Sequence, residues 1–109
     1  FGGGSTTTQN LRALRAAGAT VLYGTDFGNT RTPGIDPAEI ALLAAAGLTP
    51  AEILAAGTAA PAAYWGFPTL GSIEVGKDAS FLVLARDPLV DPGGLADPEE
   101  VWIRGVRLR

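Results

Sequence analysis

Over the first two thirds of the chain, apolar residues recur at helical spacing between short polar caps, whereas over the last third they alternate with polar ones as in strands. Thr6 and Gln9 have the spacing of a capping box, so a helix is expected from there, with Leu11, Leu14 and Gly18 along one face and Gly18 placed to stop it. Ala19 to Tyr23 is uncharged and includes Val21, Leu22 and Tyr23 in succession, which predicts a strand covered on both faces, as in a parallel sheet. It ends at Gly24-Thr25-Asp26. Residues 27–35, with Gly28, Asn29, Pro33 and Gly34, have no period and read as a loop on the C-terminal side of that strand, where α/β folds bind ligands.

Asp36-Pro37-Ala38-Glu39 and Thr49-Pro50-Ala51-Glu52 each supply an N-cap, a proline at N1 and a carboxylate at N3. Ile40, Leu43, Ala44 and Gly47 follow the first, and Ile53, Leu54 and Gly57 the second, so two consecutive helices are expected. Shared capping demands explain the echo more simply than an internal repeat, since a solenoid needs three or more units. Thr58 is placed to cap a third short helix through Tyr64 and Trp65, ended by Gly66 and Pro68. Beyond Leu70, Ile73 and Val75 alternate with polar neighbours, Gly76-Lys77-Asp78 turns the chain, and Ala79 to Ala85 gives a second strand able to pair with the first. Asp87 to Pro98, with Pro88, Pro92, Gly93 and Gly94, reads as a loop. Val101 and Ile103, then Val106 and Leu108, alternate around Arg104-Gly105, a hairpin turn in which glycine supplies positive φ.

With 109 residues, 47% of them hydrophobic and 17% charged, the chain makes one small domain or part of one. A net charge of -3 gives no basic surface for nucleic acid or an anionic membrane, and no apolar run approaches the roughly 20 residues of a membrane span. There is no cysteine, which removes disulfides, thiolate nucleophiles and zinc-thiolate clusters and agrees with a reducing, cytoplasmic setting. Residues 1–8 lack the basic and apolar regions of a signal peptide, and a chain without Met does not read as a natural start. The histidine count is zero, and imidazole is the commonest metal ligand and general base near neutral pH.

A buried parallel strand needs a hydrogen-bonded neighbour on each side, yet 19–23 is the only such strand in the first two thirds. Either its neighbours lie outside the chain, since a complete (β/α)8 barrel takes about 250 residues, or it pairs with the later strands in a compact α+β domain. An apolar edge left bare would invite self-association. Asp26, closing its strand, could bind a metal or accept a proton from water, or simply cap a turn. Arg31, in the loop that follows, could clamp a substrate carboxylate with its planar fork, or stay solvated. Gly2-Gly3-Gly4-Ser5-Thr6 lacks the lysine of a phosphate-binding loop and reads as a flexible approach to the helix. Glu39 and Glu52 are explained by capping. Tyr64, Trp65 and Phe67 could line a pocket, but aromatics at a helix end more often pack on a neighbouring layer. Arg104, Arg107 and Arg109 form a small basic end expected to face water.

Three stretches together resemble the metal-dependent amidohydrolase superfamily, most closely its imidazolonepropionase-like and related peptidase-like or aryl-amidase-like members. They are Ala17-Gly18-Ala19-Thr20-Val21-Leu22-Tyr23-Gly24-Thr25-Asp26, then Ala46-Gly47-Leu48-Thr49-Pro50-Ala51-Glu52-Ile53-Leu54, and Gly71-Ser72-Ile73-Glu74-Val75-Gly76-Lys77-Asp78-Ala79-Ser80-Phe81-Leu82-Val83-Leu84. The resemblance runs from about Leu11 to Leu108. It implies an α/β fold: residues 1–69 as the last strand and helices of a (β/α)8 TIM barrel, and residues 70–109 as strands of a small composite β-sandwich. It implies hydrolysis of a C–N bond in an amide, cyclic amide or dipeptide by metal-activated water, with a divalent metal, zinc, in the complete enzyme and Asp26 as metal ligand or proton acceptor. The family's His-x-His pair, its bridging lysine or glutamate and its further histidines are absent here, so the chain alone is expected to hold no metal and to be inactive without an N-terminal portion of the same enzyme. Ser80 stands where many relatives have aspartate. The competing expectation is a non-catalytic assembly or binding domain that keeps the same packing.

Overall fold

The computed structural model describes residues 5–24 and 34–109. Helix α1, Ser5–Ala16, starts one residue before Thr6, the expected cap, and ends where Gly18 adopts φ +91°. There the Gly18 N–H donates to the Arg15 carbonyl (2.9 Å) and the Ala19 N–H to Leu14 (3.0 Å), a Schellman stop that uses the left-handed conformation glycine tolerates best.

Helix α2, Pro37–Ala45, opens with Asp36 accepting the Ala38 N–H (2.9 Å) and Pro37 in the first turn. Gly47, at φ +97°, repeats the Schellman stop, and the following Leu48 is buried. Helix α3, Pro50–Ala56, starts on the capping box expected from its sequence: the Glu52 N–H donates to Thr49 Oγ1 (3.2 Å), and the Thr49 N–H donates to Glu52 Oε1 (2.9 Å). Helix α4, Ala59–Trp65, also forms, but Thr58 does not cap it with its side chain. The Thr58 hydroxyl donates instead to the Leu54 carbonyl (2.7 Å), satisfying the end of α3.

The last third forms an antiparallel sheet of three strands in the order β1 (Phe81–Val83), β2 (Glu100–Ile103), β3 (Val106–Arg107). Phe81 faces Trp102, their rings stacked with centroids 5.6 Å apart, and Ile103 faces Val106. Arg104 (φ +49°) and Gly105 (φ +78°) both sit in the left-handed region, the requirement of the tight turn expected between β2 and β3.

Among the described residues no ladder lies beside residues 19–23, the Tyr23 N–H donating instead to Ala56 at the end of α3 (2.8 Å). Two expectations are corrected. Ile73 and Val75 form no strand. The chain folds into turns there, with the Lys77 N–H on the Glu74 carbonyl (3.1 Å), Ile73 84% exposed, and β1 paired with β2 instead. Within the expected loop 87–98, Pro92–Ala96 makes a 3-10 turn whose Leu95 is buried.

That leucine joins the core, where Ile40, Leu43, Ala46, Leu48 and Ile53 are buried together, flanked by Leu11, Val21, Tyr23, Ile35, Leu54 and Leu84. The helices and the 3-10 turn thus build the apolar centre, with Leu84 just past β1 at its edge, and the sheet completes an α/β fold.

Candidate functional site

Asp26 and Arg31, the site residues expected from the sequence, lie outside the described residues. The structure does define the two points between which they are strung. At the near end, Val21 and Tyr23 pack against the core, and the Tyr23 backbone is tied to Ala56. At the far end, the Asp36 N–H donates to the Tyr23 hydroxyl (2.8 Å) while the Asp36 carboxylate caps α2. One side chain therefore holds both ends of residues 24–35. Burial raises the Tyr23 phenol above its ordinary pKa; the Asp36 amide opposes this, and the Asp36 and Glu39 carboxylates add to the rise. The phenol is neutral at neutral pH.

Sequence reasoning missed this contact and a second one beneath it. Arg12 Nη2 donates to the Ala45 carbonyl (2.6 Å) and Arg15 Nη1 to the Gly47 carbonyl (3.3 Å), while Arg15 Nη2 pairs with Glu52. The guanidinium groups of α1 thereby serve the negative end of α2, whose last turn has no basic residue. That missing cation was the available signal. For Tyr23 the signal was a tyrosine closing an apolar run, since a phenol in such a place finds a hydrogen-bond partner.

A cleft of about 640 Å3 lies between α3–α4 and the sheet, reached by Leu54, Ala62, Phe67, Phe81 and Trp102. None of its lining residues is charged, so it offers no acid, base or fixed charge. Tyr64 and Trp65 meet edge to face, centroids 4.8 Å apart, and stay exposed together with Phe67, so these aromatics do not pack on a neighbouring layer of the described residues. Arg107 lies 3.8 Å from Glu100 and Arg109 3.4 Å from Asp97, exposed pairs at the basic end expected from the sequence. Ser80 Oγ accepts the Arg104 N–H (3.0 Å), giving that position a role in seating the hairpin. No helix among the described residues is long and apolar enough to cross a membrane.

Set beside known proteins, the chain matches the amidohydrolase family over residues 4–108. It is 37% identical over 95 residues to uncharacterized proteins of Mycobacterium tuberculosis and Mycobacterium bovis, the match covering 87% of this chain and 25% of theirs. Among solved structures it resembles an amidohydrolase (28% identity, TM-score 0.76, 93% of this chain and 25% of that one). It also resembles molinate hydrolase (27%, 0.75, 96% and 27%) and phenylurea hydrolase B (27%, 0.74, 96% and 27%). The chain thus spans about a quarter of the length of each relative. Nearly every residue, from the first helix to the closing hairpin, is accounted for by that one match, and the chain belongs to the amidohydrolase family.

Proposed function

We propose that the chain is the C-terminal part of an imidazolonepropionase-like enzyme that hydrolyses a C–N bond in a small amide, cyclic amide or dipeptide. The observation that supports this most is the family match over residues 4–108, which takes in Gly24-Thr25-Asp26 directly after the Tyr23 tether. In this reading residues 19–26 close a (β/α)8 barrel and residues 70–109 supply part of a small β-sandwich, both completed by an N-terminal portion of the same protein. The setting is a reducing cytoplasm, which a chain without cysteine suits.

Asp26 is the chain's contribution to the reacting centre. Its carboxylate accepts a proton from the water that attacks the carbonyl carbon and returns it to the departing nitrogen, a role worth roughly 10²–10⁴-fold in rate. Arg31 binds a substrate carboxylate. The family also implies a divalent metal, zinc, in the complete enzyme. The residues present here do not fit one by themselves: the chain has no histidine or cysteine, and no three acidic side chains converge among the described residues. Zinc takes three or four protein ligands, so such an ion would depend on side chains outside this chain.

The test compares this chain with the longer protein, using a phenylurea and p-nitroacetanilide as probes. Turnover by the longer protein only, reduced about 10²-fold or more by Asp26→Asn, is the expected result. Turnover that Asp26→Asn leaves intact would overturn the assignment and favour an assembly or binding role.

A further inference from the structure

We draw no further inference here: the strongest candidate, the uncharged cleft between α3–α4 and the sheet with Phe67, Ile73 and Ile103 exposed along it, carries nothing, because an N-terminal portion of the same protein is already proposed to complete the sheet beside it and nothing in the structure shows what else covers it.

Discussion

Arg15 on α1 pairs with Glu52 on α3, and the same carboxylate accepts the Thr49 N–H that begins α3, so one acid links a tertiary contact to a helix cap. The Thr49 backbone and hydroxyl hydrogen bonds, followed by Arg15, hold the Glu52 pKa below its ordinary value. A carboxylate with a depressed folded pKa contributes stability that is present above its unfolded pKa and lost as pH falls through the folded value. Glu52→Gln keeps a capping-box side chain and removes the charge. Thermal midpoints are therefore expected to be higher for wild type at pH 7 and to converge as the pH falls toward 3. A gap that stays constant with pH would show that the charge contributes nothing.

Gly71 tests a close approach. A Cβ there would lie 2.6 Å from Ala62 Cβ and 3.2 Å from the Thr58 carbonyl, and its φ is +96°. Neither neighbour can swing aside, since one is a methyl fixed to α4 and the other is backbone. Gly71→Ala is expected to cost about 1–3 kcal/mol from overpacking, plus about 1–2 kcal/mol from the left-handed conformation. Gly105→Ala, with open space around it at φ +78°, should show the conformational part only. Equal losses in denaturant titrations of the two variants would show that α4 yields to the added methyl.

The caps and stops of the helices were legible because they are local: Asp36, Thr49, Gly18 and Gly47 each act within a few residues of themselves. The hairpin at Arg104-Gly105 was legible for the same reason. What the sequence hid depends on partners far along the chain. Ile73 and Val75 carry the alternation of a strand, but β1 found a better neighbour in β2, across Phe81 and Trp102. Residues 19–23 have the composition of a buried strand without a ladder among the described residues, because composition records what a segment is suited to and a ladder requires a second segment. Of the site, Asp26 was nameable only by its place after that segment. The Tyr23 hydroxyl that joins Asp36, thirteen residues on, has no local signature beyond the need of a phenol for a partner.

Ser80 seats the hairpin from outside it. Its hydroxyl accepts the Arg104 N–H (3.0 Å), and the Gly105 N–H donates to the Ala79 carbonyl (2.8 Å), so the two residues just before β1 grip the turn. Ser80→Ala removes one acceptor and is expected to cost about 1 kcal/mol. Ser80→Asp supplies a carboxylate to the same N–H and should recover that loss. Hydrogen exchange at the Arg104 amide reports directly, with faster exchange expected in the alanine variant and protection retained with aspartate.

Leu95 closes the core from a stretch whose prolines and glycines read as loop. The 3-10 turn Pro92–Ala96 is set by Asp91, whose Oδ1 accepts the Gly93 N–H (3.1 Å) and whose Oδ2 meets Arg86 (2.5 Å). This aims Leu95 at Ile40, Leu43 and Ile53, leaving it 8% exposed. Leu95→Ala is expected to cost about 2–5 kcal/mol, the range for deleting a buried leucine side chain, whereas Leu89→Ala, from an exposed position in the same stretch, should stay within about 0.5 kcal/mol. Urea titrations of the two variants decide it. Equal, small losses would mean that residues 87–98 do not hold the core together, and that the helices close without them.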